Sequence, residues 1–274
     1  MNLKSFISCS DVRKKFSEAV IVPRRTTKVP ILAESLSKDS SLVGTAFDYA
    51  FRFFLKRLYP DAVESQWICE KVLAPGKWGK YELGSSLQSA ISRRYAEVVR
   101  VPACSPIRHE EGWMLGDAQE DWEEHIKDPD DSFIAKVHSI AEKQVAEARE
   151  RYEQYLASGV ADTEFFRSIH NIAKLDLVYR TGKLYHDIEA SDDHVTEDLR
   201  NLFALLDESK FLGHKHCVLN PDLGSAVPAI RSADADVMFD DSIIELKTTA
   251  KNSLAKSIFH QLIGYFILLN VDEK

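Results

Sequence analysis

Asp234-Ala-Asp-Val-Met-Phe-Asp-Asp-Ser-Ile-Ile-Glu-Leu-Lys247 reads as two short strands around a turn. Ala235 to Phe239 and Ile243 to Lys247 are apolar or β-branched runs, and the Asp240, Asp241 and Ser242 between them are turn formers. With Asp240 and Asp241 as a two-residue loop, Phe239 falls opposite Ser242, Met238 opposite Ile243, Val237 opposite Ile244 and Asp236 opposite Glu245. Side chains alternate along a strand, so Val237, Phe239, Ile244 and Leu246 share an apolar face. Glu245 and Lys247 share the other.

That register sets two carboxylates against each other. Directly opposed residues have Cβ atoms about 4.5 to 5.5 Å apart, a spacing at which like charges repel unless something positive lies between them. A divalent cation supplies that charge. Two carboxylates with water and substrate oxygens suit Mg2+ or Mn2+, hard ions often held by one or two side chains. Lys247 beside them is placed to orient a water or to offset developing negative charge. Asp-Asp lacks the glycine that favours the tightest hairpins, and a three-residue loop would shift the pairing.

At these residues the chain resembles the PD-(D/E)xK nuclease superfamily, with Asp236, Glu245 and Lys247 matching its core hairpin one to one. Two further segments resemble its RecB-like branch. Downstream, Ser253 is positioned to cap a helix whose apolar positions Ile258, Leu262, Phe266 and Leu269 recur at helical spacing. On that helix Gln261 and Tyr265 match the branch's glutamine and tyrosine, which face the active site. Upstream, Gly44-Thr-Ala-Phe-Asp48 opens an apolar helix running to Leu58, where the branch often has a metal-binding histidine at the fifth residue. Asp48 stands there instead, and an oxygen ligand favours magnesium over softer metals.

The resemblance implies an α/β fold with a restriction-endonuclease-like core, a small mixed sheet flanked by helices. It also implies a Mg2+- or Mn2+-dependent phosphodiesterase acting on DNA. Asp236 and Glu245 would be metal ligands with the backbone carbonyl of Leu246, and Asp48 a third carboxylate. Lys247 would position the water, while Gln261 and Tyr265 would orient the site and contact the substrate strand. Nothing in the residues separates DNA from RNA, or exonuclease from endonuclease. The alternative is a nuclease fold that no longer cuts and serves as a subunit binding nucleic acid or a protein partner.

Composition sets outer bounds. A chain of 274 residues can bury a sizeable core, and we read it as one domain carrying a largely helical insertion at about 110–210. No apolar run approaches bilayer length and Met1 to Ser10 lacks a signal-peptide core, so a cytoplasmic protein without membrane contact is expected. Cys9, Cys69, Cys104 and Cys217 are too scattered for a zinc or iron–sulfur site. The formal charge of −8 argues against nonspecific coating of nucleic acid. Arg13, Lys14, Lys15, Arg24, Arg25 and Lys28 nevertheless make the N-terminal region basic, whereas acid crowds Glu110 to Asp131.

Helices are expected from Gly44 to Leu58, near Leu87 to Val99, from about Ser132 to Leu156, and near Asp162 to Val178 and Thr196 to Leu206. Strand character begins at Cys217 to Leu219. Members of the superfamily usually add a strand after the Gln/Tyr helix, and Asn270 to Lys274 are too few; a truncated chain or a strand from an earlier segment is expected to explain this. Asp234, opposite Lys247 in register, reads as a supporting or solvated residue rather than a ligand. His214 and His216 alternate on one strand but lack a third ligand, so structural or exposed positions are expected rather than metal binding. Tyr59, Trp67, Trp78 and Trp113 are scattered as core aromatics are, rather than as a base-stacking platform.

Overall fold

The computed structural model describes residues 2–21, 30–74, 76–78, 81–83, 87, 90–91, 131–182, 184–185, 187–223, 230, 233–240, 242–249 and 255–272. The acidic run, the helix near 87–99 beyond its first turn, Cys104, Trp113, Asp241 and Ser253 lie outside them. The chain divides into two compact units, one built from 1–65, 155–160 and 193–274, the other from 66–154 and 161–192.

In the first unit, α1 (Leu3–Ser8) and α2 (Ser10–Ala19) precede α3 (Ser40–Leu58). Sequence spacing places the start of α3 at Gly44, but it begins a turn earlier because Asp39 caps it, its Oδ1 accepting from Leu42 N at 3.0 Å. It ends at Leu58, before Pro60, as expected. Strands β1 (Val63–Glu64), β4 (Cys217–Leu219), β5 (Val237–Phe239) and β6 (Ser242–Ile244) form a mixed sheet in that order. The β1–β4 pair is parallel and the other two are antiparallel.

Val237, Phe239, Cys217 and Leu219 point to one face of this sheet and bury against Phe51, Phe54 and Leu55 of α3, with Ile244 and Leu246 at the margin. The expected apolar face of the hairpin is therefore the core face. A second cluster joins Leu3 and Ile7 of α1, Ala233 and Ala235, and Tyr265 and Leu268 of α8 (Lys256–Asp272), with Ile243 packed against it. A helix α7 (Asp193–Phe203) packs on α3. Asp198 of α7 accepts from the backbone N–H groups of Leu36 and Ser37 at 2.8 and 2.9 Å and so fastens the segment before α3.

The second unit is mainly helical. It holds α4 (Ile68–Lys71), the hairpin β2 (Gly76–Trp78) with β3 (Tyr81–Leu83), most of α5 (Asp131–Ser158), and α6 (Thr163–Thr181). Trp67 is fully buried edge-on to Tyr152 at 5.3 Å, and the Arg149 guanidinium stacks 3.5 Å above its ring. Trp67 is thus core, as its scattered position implies. Among the described residues no helix is long and apolar enough to cross a membrane.

Candidate functional site

The hairpin folds in the two-residue register, with Phe239 opposite Ser242, Met238 opposite Ile243 and Val237 opposite Ile244. An acidic turn suffices because Asp240 adopts φ 38°, a left-handed conformation that aspartate tolerates better than most residues. Its carboxylate is held by the backbone N–H groups of Lys215 and His216, at 3.2 and 3.0 Å, which keep it ionised well below the usual range. His214 and His216 flank the same carboxylate, their Nδ1 atoms 3.5 and 3.3 Å from its oxygens. His214 also stacks on Phe239 at 4.4 Å, whereas the His216 side chain is largely exposed.

Asp236 and Glu245 are the next residues beyond the last ladder pair. Here the backbone pairing gives way to side chains: Leu246 N–H donates to Asp236 Oδ2. Lys247 Nζ donates to Glu245 Oε1, and so does Gln261 Nε2 from α8, at 2.8 Å. The second Gln261 Nε2–H goes to the Tyr265 hydroxyl at 2.5 Å, and that hydroxyl donates to the Asp234 backbone carbonyl at 2.6 Å. The direction is fixed by chemistry. The hydroxyl hydrogen is spent on a carbonyl that can only accept, so the glutamine must donate.

This relay ties the last helix to the hairpin. Of the apolar positions at helical spacing, Ile258, Leu262 and Leu269 are half-buried, whereas Phe266 is 63% exposed. The inward positions are His260, Gln261, Gly264, Tyr265 and Leu268. Gln261 and Tyr265 are buried, at 6% and 2% exposure. Gln261 holds Glu245, and Tyr265 holds Gln261. The buried phenol is pushed well above its ordinary value, by desolvation first and by Glu245 next, so it remains a protonated donor.

Asp48 arrives from α3. A Cβ on Gly44 would sit 2.9 Å from Thr248 Oγ1, so this glycine lets α3 press against the segment that directly follows Lys247. Asp48 is one turn on and shares that face. Its Oδ2 accepts from Arg52 Nη2 at 2.8 Å, and the arginine is 1% exposed. Arg52 is the participant that sequence reasoning missed. Its signal was present, since an acid and an arginine four apart on a helix are neighbours.

The charges of Asp48 and Glu245 both bear on Asp236. Asp236 is pushed up to about 7, first by desolvation, then by the charges of Asp48 and Glu245, partly offset by the Leu246 N–H and Lys247. Asp48 Oδ1 and Glu245 Oε2 are buried without a hydrogen-bond partner. Buried polar atoms are seldom left so, and carboxylate oxygens in this condition are an open acceptor set. They fit a hard divalent cation, which takes oxygen ligands and completes its sphere with water. Among the described residues no three His, Cys, Asp or Glu side chains form a ready-made cage, so water and the Leu246 carbonyl would have to share the coordination. Neither a family model, nor a curated protein, nor a solved structure matches this chain.

Proposed function

We propose that the chain is a Mg2+- or Mn2+-dependent nuclease that hydrolyses DNA phosphodiester bonds on a restriction-endonuclease-like core. The observation that carries the reading is the end of the β5–β6 hairpin. There Asp236, Glu245 and Lys247 meet in the expected register, with Gln261 and Tyr265 holding Glu245 from behind. Excess negative charge, partnerless buried oxygens and an adjacent amine are what a site looks like when its balancing cation belongs to the working state.

Asp236 and Glu245 would hold the cation with the Leu246 carbonyl, and Asp48 would supply a further oxygen. A divalent ion there would lower the pKa of a bound water and offset charge on the phosphate oxygens. Lys247, drawn to Glu245 Oε1, is close enough to orient the attacking water. As the new O–P bond forms, the P–O bond to one sugar oxygen breaks, and the water's proton is passed through solvent to that leaving oxygen. DNA is the substrate class the superfamily resemblance favours.

The test is incubation of end-labelled linear and closed circular DNA with and without Mg2+, repeated with Glu245→Gln and Lys247→Ala. Cation-dependent cleavage lost in both variants supports the reading. Mn2+ binding without any cleavage would instead assign the chain a binding or assembly role, and cleavage unchanged in both variants would remove the hairpin from the mechanism.

A further inference from the structure

We propose that Arg52 is a positioning residue for the cation site: its guanidinium ties down one oxygen of Asp48 and leaves the other, buried and without a hydrogen-bond partner, to serve as a further ligand when a cation draws the carboxylates together. This rests on the cation-dependent reading above and goes beyond it by assigning a residue outside the hairpin and the last helix.

The ordinary account of an acid and an arginine four apart on a helix is a surface ion pair of little consequence. This pair differs in burial and in geometry. Arg52 is 1% exposed, its guanidinium carbon lies 4.4 Å from the centre of the Tyr49 ring, and Tyr49 is itself fully buried. A buried guanidinium is no stabilising device in itself, because desolvation offsets much of the attraction it gains.

An arginine pairing for strength alone would engage both carboxylate oxygens in a fork. Here Nη2 takes Oδ2 at 2.8 Å while Nε turns to the Asp48 backbone carbonyl at 3.3 Å. Both contacts are to the same residue, so the carboxylate is clamped in one orientation, and Oδ1 is left buried with no partner. The Gly44 contact with Thr248 puts this face of α3 against the segment after Lys247. Glu245 Oε2, on the hairpin side, is in the same condition. Two partnerless oxygens on elements held in contact are the acceptors that a cation between those elements would recruit.

Charge leads to the same place. Asp48, Asp236 and Glu245 bring three negative groups, whereas Arg52 and Lys247 bring two positive ones, so one divalent cation and one phosphodiester close the balance. Lysine could replace the charge of Arg52 but not its planar fork or its stack on Tyr49.

The experiment is a double-mutant cycle read by Mn2+ calorimetry on the full chain, using Asp48→Asn, Arg52→Lys and the pair. Asp48→Asn is expected to weaken Mn2+ binding by about 10-fold or more, and Arg52→Lys by about 10-fold, as for other residues that orient ligands. In the Asp48→Asn background, Arg52→Lys should change Mn2+ affinity less than about 2-fold, since there is no longer a ligand to orient. A merely structural arginine would weaken binding equally in both backgrounds, and that result overturns the proposal.

A wild-type protein that binds no Mn2+ overturns the cation-site reading and this inference together. Mn2+ binding that needs Asp236 and Glu245 but ignores Asp48→Asn overturns this inference alone. Should Arg52→Lys fail to fold, the Arg52 guanidinium 15N signal in wild-type protein serves. It should shift on Mg2+ titration with the calorimetric midpoint and stay fixed in Asp48→Asn, and a signal indifferent to Mg2+ refutes the assignment.

Discussion

Replacing Asp236 by asparagine should stabilise the cation-free protein while abolishing its cation affinity. Folding raises the Asp236 carboxyl from its ordinary 3.8 to about 7. Between those values the folded chain holds a proton that the unfolded chain has released, so stability falls as pH rises through this window and the full penalty is present above it. A difference of about 3 pH units corresponds to about 4 kcal/mol at most. Part of this penalty is already present at pH 5, so the change between pH 5 and pH 8 is about 2–3 kcal/mol. Asparagine cannot ionise, and its amide oxygen can still accept the Leu246 N–H. In a chelating buffer, thermal melts of wild type and Asp236→Asn should diverge by about 5–10 °C between pH 5 and pH 8, the variant being the more stable at pH 8. Melting curves that run parallel over this range would refute the claim that burial, with Asp48 and Glu245 nearby, holds the Asp236 carboxyl above its ordinary value.

Three further experiments probe the scaffold. Gly44→Ala would drive a Cβ into Thr248 Oγ1, now 2.9 Å from that position, and should destabilise by about 1–3 kcal/mol. In a Thr248→Ala background the same change should become neutral or stabilising by about 0.5–1 kcal/mol, because glycine is a poor helix former; chemical denaturation reads the reversal of sign. Tyr265→Phe would remove the acceptor of the Gln261 N–H and a donor to the Asp234 carbonyl and should cost about 1–3 kcal/mol in urea unfolding, with Mn2+ affinity falling as Glu245 loosens. On α8, Leu268→Ala should cost about 2–5 kcal/mol and Phe266→Ser within about 0.5 kcal/mol, a contrast that equal losses at the two positions would contradict.

Register was legible in the sequence because apolar and polar residues alternate along both arms of the hairpin, and a slip by one would bury Asp236 and expose Val237. The brace on the turn was not. The N–H groups that hold Asp240 come from Lys215 and His216, more than twenty residues away, and no local pattern announces them. The first turn of α3 was overlooked because Gly44 resembles a helix start, although it serves close packing and Asp39 is the cap. Helix α8 misled for a different reason. Ile258, Phe259, Leu262, Ile263, Phe266, Ile267, Leu268 and Leu269 surround its axis, so hydrophobic spacing has little contrast there. What turns Gln261 and Tyr265 inward is a chain of hydrogen bonds to partners on other elements.

The first unit is stitched from three separate stretches of chain, and its carboxylates come from two of them. Asp48 precedes Asp236 by 188 positions, with the whole helical unit in between. A partly folded molecule, or a fragment cut within that intervening unit, therefore carries the hairpin pair without the carboxylate that Asp48 brings. On the proposed reading, a complete cation site exists only in molecules that have finished folding, and topology alone sets that order.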